Sequence, residues 1–133
     1  MKNYLVYDAD EQKLRIVEEN MYKDTYELLR NNVNGCIECV SWIKILYERN
    51  IDIWINEEGK LLDLPPSIII VDDKSNIIGT LNGNIVFAKN DNKGATIPLN
   101  DEDILFIKKI IEQNKCLIDY NQSIMCVPFF RYQ

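Results

Sequence analysis

The chain contains no histidine. That removes the usual general base near neutral pH and the commonest metal ligand, so Ser-His-Asp, Cys-His and histidine-metal chemistry are excluded. A carboxylate pair could still do acid–base work, but no spacing of Asp or Glu singles one out. Cations are in the minority: 15 Lys and Arg stand against 21 Asp and Glu, a formal charge of −6. A nucleic-acid polymer is therefore not an expected partner, because phosphate neutralisation needs clustered Lys and Arg. A small anionic ligand stays open, since two or three local cations and some backbone donors suffice for it. Long apolar runs and a charged-then-apolar leader are also missing, so neither a membrane span nor secretion is expected.

Cysteine is sparse, at Cys36, Cys39, Cys116 and Cys126. Cys36-Ile37-Glu38-Cys39 matches the bare Cys-x-x-Cys of a redox pair or half a zinc site. Its surroundings read as a strand, however, where positions three apart point to opposite faces. Cys116 and Cys126 lack the short second spacing of a zinc ribbon. The four read as reduced structural cysteines, which fit a cytoplasmic protein. No metal and no cofactor is expected, and the lack of histidine points to a binding protein rather than an enzyme.

What is present suffices for one folded domain over residues 1–133. Apolar residues make up 47% and charged residues 27%, a globular mix that builds its core without a staple. Ile51 to Asn56 alternates Ile51, Ile53 and Ile55 with Asp52, Trp54 and Asn56, the pattern of a half-buried strand. Gly59 suits a tight turn of positive φ, Leu61, Leu62 and Leu64 read as apolar anchors, and Pro65-Pro66 stiffens the exit.

Around this stretch, Asn3 to Tyr7 and Leu14 to Val17 pair as a hairpin. Asp24 and Glu27 have the spacing of a capping box, and the helix they open carries Leu29 and Val33 and stops at Asn34-Gly35. Cys36 to Ile43 reads as a strand, with Trp42 to Tyr47 divided between strand and turn. Ile68 to Val71 is a strand buried on both faces, and Asn82-Gly83 predicts a hairpin joining Ile77–Thr80 to Ile85–Ala88. Asn100 caps a second helix with Ile104, Ile107, Ile110 and Ile111 on its apolar face. The segment from about residue 116 to 133 is apolar, suited to docking on the sheet or on another subunit. The fold class expected is α+β: a mixed, mainly antiparallel sheet packed by two helices.

Asn56-Glu57-Glu58-Gly59-Lys60-Leu61, Leu64-Pro65-Pro66, the strand ending at Gly79-Thr80 and the acidic cap Asn100-Asp101-Glu102-Asp103-Ile104 follow in an order that resembles one family. It is that of the phage type-one Thoeris anti-defence proteins, within a widespread phage and plasmid domain of unknown function. The resemblance runs from the first strand through the helix at Ile104. It implies a non-enzymatic sponge that sequesters cyclic ADP-ribose isomers made by bacterial TIR-domain enzymes, with a separate site for cyclic oligonucleotides in some relatives. It also implies homodimers that group into hexamers, acting in the host cytoplasm.

Such a ligand asks for one or two cations, backbone amides, Asn or Thr side chains and an aromatic face. The loop after the hairpin offers Phe87, Lys89, Asn90, Asn92, Gly94 and Thr96. Arg131 beside Phe129 and Phe130 is a second candidate, and Lys60 a third. Each has a plain structural reading: Phe87 in the core, Asn90 to Lys93 as a solvated loop, Arg131 and Lys60 on the surface. Two other functions stay open, a protein-interaction module docking through the apolar tail and an enzyme using Glu57, Glu58 and Asp63.

Overall fold

A computed structural model describes residues 2–133. In chain order the elements are β1 (Asn3–Asp8), β2 (Lys13–Glu18), α1 (Thr25–Val33), β3 (Ile37–Val40), α2 (Lys44–Tyr47), β4 (Ile51–Asn56), β5 (Pro66–Val71), β6 (Ile77–Asn82), β7 (Ile85–Asn90), β8 (Thr96–Ile97), α3 (Asp101–Gln113), β9 (Lys115–Tyr120) and β10 (Ser123–Arg131). The fold is α+β, with the strands divided between two mostly antiparallel sheets.

The first sheet has the order β2-β1-β7-β4-β3, with β8 added to β7. Its middle strand β7 is buried from Ile85 to Ala88, so both faces of the sheet must be covered. Alternation decides which residues face which way. Tyr4, Val6, Val86 and Ala88 meet Leu28, Leu29 and Val33 of α1, with Trp54 at the margin. Leu5, Ile53, Ile85 and Phe87 face the larger core, shared with Ile68, Ile70, Leu81 and Phe130 of the second sheet and Ile104, Ile107, Ile110 and Ile111 of α3. Each such side chain fully buried stabilises by roughly 1.5–3 kcal/mol before entropy is counted.

Both long helices begin as their sequences require. The Asp24 carboxylate accepts from the Glu27 N–H at 2.8 Å, while the Glu27 side chain accepts from the Lys23 N–H. Asn34 ends α1 in the left-handed region at φ 62°. Asn100 caps α3 in a reciprocal box with Asp103.

The second sheet has the order β6-β5-β10-β9. The apolar tail forms half of it: β9 and β10 pair as a hairpin through Asn121 and Gln122, both at positive φ, and β10 runs parallel to β5, Phe129 opposite Ile69.

Five expectations are corrected. Asn82-Gly83 does not join a hairpin: β6 pairs with β5, while β7 pairs with β1, β4 and β8. Gly83, at φ +87°, instead carries the chain from one sheet to the other. Asn84 holds that crossing by accepting from the Ala9 N–H at 2.9 Å and donating to the Asn32 carbonyl at 3.1 Å. The strands therefore form two sheets rather than one. Lys44 to Tyr47 is a one-turn helix, a third helix beside the two expected. Finally, Gly59 is absent from the positive-φ positions, where Asp63 stands at 55°, and Leu61 and Leu62 are exposed, not anchors.

Gly59 has a different reason to be glycine: a Cβ there would lie 2.5 Å from the Asn82 carbonyl oxygen, backbone that cannot swing aside. This contact joins the turn after β4 to the end of β6. Gly59→Ala should lower stability by about 1–3 kcal/mol, read from the urea midpoint. Gly79→Ala, where an added Cβ meets nothing within 4 Å, should stay within about 0.5 kcal/mol of the parent.

Candidate functional site

The residues singled out as ligand contacts are not brought together. Phe87 is fully buried between Leu5 of β1 and Ile53 of β4, so its ring cannot stack on a ligand. The Lys89 ammonium lies 3.0 Å from the Asp103 carboxylate, which is itself buried and also accepts from the Asn100 N–H at 3.1 Å. Asn90 donates to the Asp52 carboxylate at 3.2 Å. Burial raises the Asp52 pKa and the Asn90 hydrogen bond opposes that rise.

Asn92 occupies the left-handed region at φ 68° in a turn folded on itself. There the Asp91 carboxylate accepts from the N–H groups of Lys93 and Ala95 at 2.8 and 3.0 Å. Thr96 is paired with Asn90 in the β7–β8 ladder. The loop after Phe87 is thus a closed hairpin tip, not a cradle.

Arg131 is likewise engaged. Its guanidinium donates to the Asp72 carbonyl at 3.0 Å and to the Ser75 hydroxyl at 3.1 Å, fastening the turn between β5 and β6. The Asp72 carboxyl is held below its ordinary range mainly by the Asn76 N–H, with Arg131 a smaller contributor.

Lys60 has the different fate. It lines a cleft of about 590 Å³ together with Trp42, Ile70, Ile78, Gly79, Thr80, Leu81 and Tyr132. The cleft continues past Lys60 into a hollow of about 240 Å³ that reaches Asn56, Asn82, Glu38 and Glu57. One wall is aromatic: the Trp42 and Tyr132 rings stand 5.9 Å apart and tilted by 54°, both partly exposed. Trp42 is placed by the bend between β3 and α2, and Tyr132 by its N–H bonding the Val71 carbonyl at 2.8 Å.

The opposite wall is β6, an edge strand paired on one side by β5. Its other edge keeps unpaired backbone donors and acceptors, and Gly79 leaves them unscreened. Thr80 adds a hydroxyl, which donates to the Asn82 side chain at 2.9 Å. Ile70 and Leu81 make an apolar floor. An aromatic wall, an apolar floor, one ammonium and a strand edge can hold a planar base with an anionic group.

Sequence reasoning missed Trp42, Tyr132 and Thr80. Trp42 lay where strand and turn could not be told apart, and Tyr132 comes to the cleft through the β10–β5 pairing, more than 50 residues apart in sequence. Among the described residues no group of three His, Cys, Asp or Glu is placed to hold a metal ion, and no helix is long and apolar enough to cross a membrane.

The family model described as Domain of unknown function (DUF3846) matches residues 1–115. The match takes in the whole first sheet, β5, β6 and α3, and ends as β9 begins. Comparison with the curated proteins and with the solved structures gives no match.

Two outcomes follow for the displaced candidates. Asp103→Ala leaves the partly buried Lys89 unpaired and removes half the α3 cap, so stability should fall by about 2–4 kcal/mol in urea unfolding. Asp52→Asn acts through pH. Because the folded carboxyl titrates above its unfolded value, the wild-type protein loses stability as pH rises from about 4 through the folded pKa. The variant should therefore melt higher at pH 7, and the gain should vanish below pH of about 4.

Proposed function

Because the chain belongs to the DUF3846 family, itself of unknown function, we propose a specific role for it: a phage immune-evasion protein of the Thoeris anti-defence kind. It sequesters a cyclic ADP-ribose isomer or related cyclic nucleotide without cleaving it, in the host-cell cytoplasm. The observation that supports this reading is the cleft, where an aromatic wall and a cation share one space of about 590 Å³. That volume lies within the range of sites for drug-sized ligands. In this reading adenine packs against Trp42 and Tyr132, and a phosphate meets Lys60 and the free edge of β6. The exposed carboxylates Glu38 and Glu57, lining the adjoining hollow, keep phosphate at the Lys60 end by repulsion. Assembly as homodimers or hexamers would supply a second cation from a neighbouring subunit.

A second reading has its own support. Leu117 and Ile124 are each 71% exposed on one face of the β9–β10 hairpin, an apolar surface suited to a protein partner. On that reading the chain is an interaction module and the cleft is incidental.

Incubation with the cyclic ADP-ribose product of a TIR-domain enzyme separates the two. Ligand at a hundred times its Kd should raise the melting temperature by about 10 °C. It should also be depleted from solution and return intact on heat release. Trp42→Ala should weaken binding about tenfold or more, and Lys60→Gln should do so in a salt-dependent way. Return of hydrolysed ligand, or no depletion at all, overturns the sponge reading. Pull-down of a protein partner with no thermal shift favours the module.

A further inference from the structure

β9 is an edge strand. It pairs with β10 on one side and, among the described residues, with no strand on the other. Its ladder runs from Lys115 to Tyr120 without a bulge. An edge of this kind is open to a further strand, and proteins blunt such edges by shortening or distorting them. β3 is blunted by its length of four residues, and β6 by shifts of register. β9 has neither protection.

The ladder also shows which backbone groups lie open. Tyr120 and Ser123 flank the two-residue turn, and in such a hairpin the flanking pair exchanges both hydrogen bonds. Ile118 and Cys116 repeat this at every second position. The Asn114 carbonyl continues the series by accepting from the Phe129 N–H at 2.8 Å. The N–H and C=O groups of Lys115, Leu117 and Asp119 therefore point away from β10. The side chains of these three residues share one face of the sheet, and all are exposed, Leu117 by 71%.

We propose that this edge binds the same edge of a second copy of the chain, antiparallel about a two-fold axis through Leu117. The sheets that contain β9 in the two copies then become continuous. An antiparallel partner must set outward-facing residues against outward-facing residues. With Leu117 opposite its own copy, Lys115 faces the partner's Asp119, and Asp119 faces the partner's Lys115. Each pair exchanges both backbone bonds; the outer two join opposite charges and the central one removes two leucines from water. On the other face Cys116 meets the partner's Ile118, apolar against apolar. Neighbouring registers lose this match: an axis through Asp119 sets two carboxylates face to face, and one through Lys115 two ammonium groups. One register thus satisfies backbone, charge and apolar surface together, in the isologous form that a two-fold requires. The edge shares no residue with the cleft, so the assignment does not rest on what the cleft binds.

Sedimentation velocity of the whole protein over a concentration series tests it. The parent should dimerise. Lys115→Asp and Asp119→Lys each set like charges opposite one another twice, and each should weaken the dimer about tenfold or more. An equimolar mixture of the two variants should recover it, because one chain then carries Asp at both positions and the other Lys at both. Leu117→Lys, which opposes two ammonium groups on the axis, should be monomeric. All three positions are exposed, so the variants should keep the circular dichroism of the parent. Amide exchange at Leu117 and Asp119 should be slower in the parent dimer than in the charge variants, with Ile118, already bonded to β10, unchanged. Trp42→Ala, which alters the cleft alone, should dimerise like the parent. A parent that stays monomeric to its solubility limit, a dimer indifferent to either charge reversal, or no recovery in the mixture would overturn the assignment.

Discussion

The strand from Ile85 to Ala88 is buried on both of its faces, and the rest of the molecule is arranged around meeting that demand. An apolar strand in the middle of a sheet loses its stabilisation wherever water reaches it. One face is closed by α1, whose cap at Asp24 and left-handed stop at Asn34 set its length to match. The other needs more cover, and it takes the second sheet together with α3. The reversal at Gly83 follows from the same demand. Once β7 pairs with β1 and β4, it has no edge left for β6, so the chain between them must change sheets.

Two sheets joined by such a crossing touch closely at few points. One is Gly59 against the Asn82 carbonyl, where the missing side chain lets backbone meet backbone. Beyond that clamp the sheets part, leaving the cleft bordered by Trp42, Lys60 and Tyr132. Its position is therefore a by-product of how the core is closed. The rim of the cleft is drawn from a bend, a turn and a strand end, none of which the core itself needs. Packing is tight on one side of Gly59 and space is open on the other.

Polar groups in the interior follow a stricter rule, since each must find a partner. Asp103 does so twice, with Lys89 and with the backbone of its own cap, and thereby ties the hairpin tip after β7 to the start of α3. Asn84 does it across the sheet crossing. Among the described residues the exceptions are Asn3 Oδ1 and Trp54 Nε1, which are buried without a hydrogen-bond partner.

Much of the local structure was legible in the residues themselves. The alternation of Ile51 to Asn56, the helical spacing of Ile104 to Ile111, both helix caps and the α+β class follow from short-range rules that act within a few residues. Charge and the absence of histidine narrowed the chemistry without reference to shape. The strand pairings were not legible, because Asn82-Gly83 signals a reversal but not which sheet the next strand joins. That choice is settled by the burial of β7, a long-range property. The sites were hidden for the same reason. A loop of Asn, Lys and Gly reads as a cradle until its own carboxylates are seen to satisfy it. Trp42 and Tyr132 become neighbours through pairings that span the chain. Local sequence determined the elements and their faces; tertiary packing decided which side chains meet and which polar groups are left free, since both depend on contacts between residues far apart in the chain.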